Sequence, residues 1–187
     1  MKRRDRKADP PLAGARIRMT LGLFLIACAK SNPALSADSA RRTVDDFYSW
    51  YAPIQKQTSS ANMRAIRDRP SLFSPELVTA LRVDSVASAA SPGEVVGLDG
   101  DPFLNAQDAC DRYASAGVVE TGGRFLVQVL GSGGCLAHTT ADVTVEVTPT
   151  RGNLVFTNFI YSPRDRDNLI ALLAYLDSTR RAKQLKP

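Results

Sequence analysis

The sequence lacks the motifs that define several common classes of enzyme. It contains no GxSxG nucleophile elbow, no HExxH zinc motif, no P-loop and no GxGxxG dinucleotide fingerprint. Its one histidine, His138, lies in a Gly/Thr-rich connection with no Asp or Ser at motif spacing, and no CxxC or Cys/His cluster is present. We therefore predict no cofactor and no metal, and expect no activity that depends on these motifs.

A basic surface of the kind that binds nucleic acid is also missing. The formal net charge of +5 comes from 24 Lys and Arg against 19 Asp and Glu, but eight of the basic residues precede Asp38. From Asp38 onward the chain has 16 basic and 17 acidic residues, without an RNA-binding signature or aromatic residues interleaved with bases. These features exclude nucleic acid as the expected partner.

No apolar run is long enough to cross a bilayer, which takes about 20 residues. The run at residues 19–29 has eleven residues and follows a basic segment. A basic segment followed by roughly 7–15 apolar residues is typical of a secretory signal. We predict that residues 1–37 are a signal peptide and linker, translated from Met1 or Met19, and that the protein is exported to the periplasm.

This segment contains two alternative sites for cleavage of the signal peptide. Residues 25–28 resemble a bacterial lipobox, in which Cys28 becomes the acylated N-terminus of the mature protein. Residues 33–37 instead look like a signal that is cut after Ala37, which would remove Cys28. Contact with a membrane is therefore expected only through a lipid anchor at Cys28.

Cysteine is scarce, with three in the chain. With the first one lipidated or removed, Cys110 and Cys135 remain in an oxidising compartment. Residues 112–120 and 124–130 flank a Gly-bearing turn at 121–123, which predicts a β-hairpin. Because the turn is centred near residue 122, the numbers of paired residues should sum to about 244. Cys110 and Cys135 sum to 245, so we predict a disulfide at the open end of this hairpin. The alternative is two unpaired buried thiols.

Helices are predicted before the sheet. The first has Ser39 as its N-cap, is ended or kinked at Pro53, and carries a buried face of residues at helical spacing: Val44, Phe47, Tyr48 and Tyr51. Residues 55–70 are polar and are expected to form a loop that can include one helical turn. Ser74, followed by Pro75 and Glu76, predicts the start of a second helix.

The remaining elements are a second hairpin and a last helix. Residues 142–148 and 154–161 form the hairpin, with Phe156 and Phe159 on opposite faces of a central strand. The last helix is predicted to begin at Ser162 and to bury a leucine stripe: Leu169, Leu172, Leu173 and Leu176. We predict one α+β domain at residues 38–187, in which N-terminal helices pack on an antiparallel sheet of about four strands, followed by a C-terminal helix.

Five segments resemble the bacterial exported family catalogued as domain of unknown function 3828. They are residues 47–51, 74–77, 91–94, 101–108 and 155–159. The resemblance covers residues 40–178, and the segment 101–108 is its most specific part. That family is similar to NTF2-like proteins, which implies a curved antiparallel sheet wrapped by helices into an open cone. The resemblance implies no activity, because none is assigned to the family as a whole.

Residues 99–110 are the only plausible site that the sequence offers, because three carboxylates lie within ten residues there. Gly, Pro, Asp and Asn also make regular structure improbable in this segment. Calcium is a weak match, since Pro102 interrupts the spacing and no Glu stands at the twelfth position. The simplest interpretation of the acidic residues is that they cap turns. The candidate binding residues are Asp99, Asp101, Phe103, Asn105, Gln107 and Asp108.

Two functions from different classes are compatible with these residues. The preferred one is a non-catalytic cell-envelope domain that binds a protein, a glycan or a small ligand through residues 99–108 and the mouth of the cone. The alternative is a small hydrolase or isomerase with a carboxylate acid/base inside the cone. Its candidate residues are Asp101, Asp108 and Glu146.

Overall fold

The computed structural model describes residues 35–91, 96–106, 109–135, 140–161 and 167–184. Its elements are α1 (Ala37–Gln55), α2 (Ala61–Asp68), a short 3-10 helix (Pro70–Leu72), α3 (Pro75–Ala90), β1 (Arg112–Thr121), β2 (Arg124–Ser132), β3 (Val143–Thr150), β4 (Asn153–Ile160) and α4 (Leu169–Gln184). The strands form one antiparallel sheet in the order β1-β2-β3-β4. The predicted α+β class with a C-terminal helix is confirmed, and the arrangement is consistent with the NTF2-like description.

Helix α1 begins earlier than its predicted cap. Ser36 is the N-cap: its side chain accepts a hydrogen bond from the Ser39 amide, and the Ser39 hydroxyl accepts one from the Ser36 amide at 2.7 Å. The prediction of Ser39 as the N-cap is therefore wrong by three residues, because Ser39 is the other member of a capping box. Pro53 lies inside the helix, which continues to Gln55.

The segment after α1 contains more helix than the predicted loop. Helix α2 buries Ala61, Ala65 and Ile66 while its remaining residues are polar or partly exposed. The Arg69 guanidinium then lies 4.3 Å from the centroid of the Trp50 ring, a cation–π contact that holds the end of α2 against α1. A helix of eight residues with so small an apolar face depends on tertiary packing, which explains why its sequence pattern is weak.

Both hairpins turn through residues with positive φ. Gly122 and Gly123 connect β1 to β2 with φ of 56° and 75°, and Arg151 and Gly152 connect β3 to β4 with φ of 51° and 83°. Two consecutive residues in this conformation match the twist of the flanking strands. The first hairpin pairs Arg112 with Ser132, so its predicted register is confirmed.

Strand β4 departs from its predicted placement. It lies at an edge of the sheet, and its register with β3 shifts so that Thr157 is an extra residue between the pairs made by Phe156 and Asn158. Because of this β-bulge, the rings of Phe156 and Phe159 lie 6.0 Å apart in the same core and are both fully buried. The prediction that they lie on opposite faces of a central strand is therefore wrong. Phe73 forms a parallel bridge with Phe156 alongside the strand.

The core is a cluster of aromatic rings between α1 and the sheet. Phe47 stacks on Tyr51 with ring centroids 5.1 Å apart and meets Phe156 edge-to-face at 5.2 Å. Tyr48 stacks on Tyr113 of β1 at 5.7 Å. The predicted buried face of α1 is confirmed, since all four of its residues are fully buried: Val44, Phe47, Tyr48 and Tyr51.

Helix α4 carries a narrower apolar stripe than predicted. Leu169 and Leu173 are buried, whereas Leu172 is 37% exposed. The Asn168 side chain accepts a hydrogen bond from the Ala171 amide at 3.0 Å, which satisfies one donor of the first turn. The prediction that this helix begins at Ser162 is wrong, because α4 begins at Leu169 and the preceding Asn168 forms a β-bridge with Ile160. Ser162 itself lies outside the described residues. Among the helices that are described, none is long and apolar enough to cross a membrane.

Cys110 and Cys135 are placed as a disulfide-capable pair with Cα atoms 4.9 Å apart. The pair lies at the open end of the first hairpin, where the Asp111 amide donates to the Gly133 carbonyl at 2.7 Å. A Cβ atom at Gly131 would collide with the Cys110 sulfur, so glycine at this position lets the pair approach β2.

We expect the mature protein to carry this bond. Mass analysis under non-reducing conditions should show both thiols blocked by one linkage. The double substitution Cys110→Ala with Cys135→Ala should lower the free energy of unfolding by about 3 kcal/mol in urea titrations, because the bond closes a loop of 25 residue steps in the unfolded chain. Two thiols per chain that react freely in the folded protein would contradict the expectation.

Candidate functional site

Asp101 organises the loop that the sequence singles out. Its Oδ1 accepts hydrogen bonds from the amides of Phe103 at 2.9 Å and Leu104 at 3.2 Å. Its Oδ2 accepts one from the Tyr51 hydroxyl at 2.5 Å. The carboxylate therefore caps a tight turn and ties that turn to α1, as expected for an Asp in an Asx-turn.

The apolar residues of the loop are inserted into the core. Phe103 and Leu104 are fully buried, and the Phe103 ring lies 4.7 Å from Phe159 and 5.4 Å from Tyr51. The Tyr48 hydroxyl donates to the Phe103 carbonyl at 2.7 Å. Phe103 thus holds the loop from within, and its ring is not available at the surface for a ligand.

The electrostatics of this region follow from burial. Loss of solvent raises the pKa of Asp101, against the opposing effect of its hydrogen bonds from Tyr51, Phe103 and Leu104. Burial also raises the pKa of the Tyr51 and Tyr161 hydroxyls, and the nearby Asp101 charge raises both further. Both tyrosines therefore remain neutral hydrogen-bond donors at any physiological pH.

Two clefts open on either side of the loop. The larger, of about 460 Å³, lies between the loop, the end of α1, the start of α2 and one side of α3. The smaller, of about 250 Å³, lies between the loop, Tyr161 and Leu172 of α4. Both are lined by the same five residues: Leu98, Asp99, Gly100, Asp101 and Pro102. The loop is thus a shared wall of two clefts.

The larger cleft, which we call the helical cleft, is lined mostly by polar side chains. The polar residues contributed by the helices and the turn before α2 are Gln55, Thr58, Ser59, Ser60, Asn62, Asp84, Ser85 and Ser88. Met63 and Leu81 add an apolar surface between them. No residue of the sheet lines the helical cleft, so it is separate from the interior of the predicted cone.

A buried ion pair fixes the far side of the helical cleft. Asp84 of α3 and Arg180 of α4 are 2.7 Å apart, with side chains 7% and 14% exposed. Asp84 also accepts from the Leu98 amide at 3.2 Å, and Arg180 donates to the Val96 carbonyl at 2.9 Å. Two helices and the beginning of the loop are therefore joined at one point.

The predicted binding residues are placed as follows. Asp99 is exposed and lines both clefts. Asn105 has a φ of 52° and donates from its amide to the Asp142 carbonyl at 3.2 Å, so it closes the turn. Gln107 and Asp108 lie outside the described residues.

Of the candidate catalytic carboxylates, Asp101 and Glu146 are not brought together, and Asp108 lies outside the described residues. Glu146 lies on β3, where it pairs with Arg124 at 2.8 Å and accepts from the Thr157 hydroxyl at 2.7 Å. Asp101 lines the clefts, which Glu146 does not. Within the described part of the chain, no three His, Cys, Asp or Glu side chains are grouped so that they could hold a metal ion.

Comparisons with protein families, with curated proteins and with solved structures find no match to this chain. The resemblance to the family of domain of unknown function 3828 therefore stays a prediction.

Asp84 and Arg180 are the most important residues for the cleft that were not predicted. The signal for Asp84 is present in the sequence, since it is a single acidic residue within an Ala/Ser-rich helical segment. Its partner is 96 residues away, and no spacing rule connects them. The hydroxyl and amide residues of the cleft are ordinary surface residues in the sequence, and the fold alone brings them together.

The raised pKa of Asp101 predicts a specific pH dependence. The folded protein holds the Asp101 proton more tightly than the unfolded chain. Between pH 3.8, the ordinary pKa, and the folded pKa, Asp101 therefore carries more bound proton in the folded protein than in the unfolded chain. Stability that Asp101 contributes is therefore lost over this interval and stays lost above it. The free energy of unfolding of the native protein minus that of Asp101→Asn should fall as pH rises, in urea titrations between pH 4 and 8.

Asp111→Asn is the control with the opposite sign. The Lys56 ammonium, which donates a hydrogen bond to Asp111, lowers the pKa of that carboxyl. The free energy of unfolding of the native protein minus that of Asp111→Asn should therefore fall as pH falls through the folded pKa of Asp111. A difference for Asp101→Asn that is independent of pH, or that rises with pH, would contradict the assignment of Asp101 as a desolvated carboxylate.

Proposed function

We propose that this protein is an exported cell-envelope domain that binds a ligand without transforming it. The observation that carries the proposal is the position of the loop: it is fixed at Asp101 and Phe103, and it lies between two clefts and lines both of them. A rigid loop that presents polar groups to a concave surface is the usual construction of a binding site. The helical cleft, at about 460 Å³, has room for a small molecule or for one end of a larger one.

The contacts of the carboxylates favour binding over catalysis. A general acid or base needs a carboxyl oxygen within reach of the reacting group. Both oxygens of Asp101 already accept hydrogen bonds from the protein, and Glu146 is paired with Arg124. The half-buried Asp101 beside a cleft is the one observation that favours a hydrolase or isomerase, and we rank that function second.

We also propose membership of the exported family catalogued as domain of unknown function 3828. The α+β arrangement with its C-terminal helix supports this proposal. The disulfide-capable pair Cys110 and Cys135 supports a location in an oxidising compartment such as the periplasm. The expected partner is an envelope protein, a glycan or a small ligand.

The start of α1 supports processing at Cys28 over a cut after Ala37. Ser36 caps α1, and Leu35 and Ala37 pack against the core. A cut after Ala37 would remove all three residues, and loss of a serine cap alone costs about 1 kcal/mol. A cut before Cys28 leaves the beginning of the folded domain intact.

This processing has a direct test in mass analysis of the mature protein. We expect an acylated N-terminal peptide that begins at Cys28 and a protein in the membrane fraction. Cys28→Ser should release the protein from that fraction. Ala37→Leu, which would block a cut after residue 37, should leave processing unchanged. A mature protein that begins at Asp38, or membrane fractionation that Cys28→Ser does not alter, would overturn the tether.

The binding function is tested by blocking the helical cleft. Ser59 is exposed on its rim, and Ser59→Trp should fill part of the entrance without disturbing the core. Ala174→Trp on the exposed side of α4 is the matched control, since Ala174 lines neither cleft.

The immobilised protein is incubated with envelope extract, and retained molecules are identified by mass spectrometry. The native protein and Ala174→Trp should retain the same molecules, and Ser59→Trp should retain at least tenfold less. Equal retention by all three proteins, or retention of nothing by the native protein, would refute binding at this cleft.

A further inference from the structure

We propose that the ligand of the helical cleft is an uncharged saccharide, an inference that rests on the proposed binding function. The argument uses three properties of the lining: hydrogen-bonding groups that the fold does not use, the absence of a matching charge for an ionic ligand, and an apolar surface between the polar groups.

The first property is spare hydrogen-bonding capacity. The side chains of Gln55, Ser59 and Ser85 make no hydrogen bond to any other described residue. Asn62 uses its Oδ1 for the Met63 amide at 2.8 Å, and its amide nitrogen makes no bond within the same part of the chain. These four side chains come from the end of α1, the turn after it, α2 and α3, so they surround the cleft.

Hydroxyl and amide groups match the chemistry of a sugar. A serine hydroxyl both donates and accepts, and an amide presents a donor and an acceptor side by side. Neighbouring sugar hydroxyls offer the same pairs of donors and acceptors. A cleft with several such groups from different elements can bind adjacent hydroxyls of one ring without any charged contact.

The second property is the charge of the lining. Among the described residues that line the helical cleft there is no Lys or Arg, so a phosphate or carboxylate ligand would find no counter-charge. Asp84 is neutralised by Arg180. Asp101 already accepts three hydrogen bonds from Tyr51, Phe103 and Leu104, so it offers little to a cation. Asp99, the third carboxylate of the lining, is exposed to solvent and takes part in an interaction within the protein. The other recognition groups are neutral, so the lining disfavours an anionic ligand and favours a neutral one.

The third property is the apolar surface. Met63 and Leu81 contribute it on the helical side, and Leu98 and Pro102 contribute it on the loop. Saccharide rings present C–H faces between their hydroxyls, and apolar side chains cover such faces at little cost in desolvation. At about 460 Å³ the helical cleft lies within the usual range of roughly 300–1,000 Å³ for ligand pockets.

Isothermal titration of the purified protein tests the ligand class. The neutral probes are maltose, cellobiose and di-N-acetylchitobiose, and the charged probes are glucose 6-phosphate and glucosamine. We expect saturable binding of at least one neutral disaccharide and none of the charged probes. Gln55→Ala and Asn62→Ala should each weaken that binding about three- to tenfold, as expected for the loss of one hydrogen bond. Ser178→Ala, an exposed serine of α4 outside the cleft, should not change it.

Each other outcome overturns a defined part of the inference. Binding of a charged probe in place of the neutral ones makes the ligand class wrong. Gln55→Ala, Asn62→Ala and the milder Ser85→Ala are compared in variants whose thermal unfolding is unchanged. If all three still bind the neutral disaccharide as the native protein does, the helical cleft is not the binding site. If no disaccharide binds but Ser59→Trp still abolishes capture from envelope extract, the saccharide assignment fails and the binding function stands. Failure of both experiments refutes both proposals.

Discussion

The insertion of Phe103 into the aromatic core is the interaction on which the rest of the site depends. A surface loop rich in Asp and Gly would ordinarily be mobile, since it buries little apolar area. Here its ring packs against Phe47, Tyr51, Phe73 and Phe159, and burying a phenylalanine contributes roughly 1.5–3 kcal/mol. The same turn brings the Asp101 carboxylate to the Tyr51 hydroxyl, so the ring and the carboxylate fix the loop to α1 together.

The other end of the loop is held by a different kind of interaction. Asp84 and Arg180 are almost fully buried, and taking two charges out of water costs about as much as their attraction returns. The pair is therefore weak support for a role in net stability. Its value is geometric: it fixes α3, α4 and the backbone at Val96 and Leu98 together, so that the loop cannot shift without exposing or separating two buried charges.

Much of the fold could be predicted because local chemistry determined it. Ser74 caps α3, Gly122 and Gly123 turn the first hairpin, and the register of that hairpin places Cys110 beside Cys135. Three features could not be predicted for one shared reason. The extra residue at Thr157, the short helix α2 and the Asp84–Arg180 pair are all determined by packing between segments distant in sequence, and no local pattern specifies such packing.

The proposed cleft adjoins the loop that the sequence singled out but lies outside the predicted cone. The resemblance to an NTF2-like cone directed attention to the sheet interior, but aromatic rings from α1 and the loop fill that space. The larger cleft lies instead on the side of the loop that faces the helices. Three of its polar side chains, those of Gln55, Ser59 and Ser85, bond to no other described residue. If the proposed ligand binds there, these side chains can supply its hydrogen bonds while the contacts that hold the domain together stay unchanged.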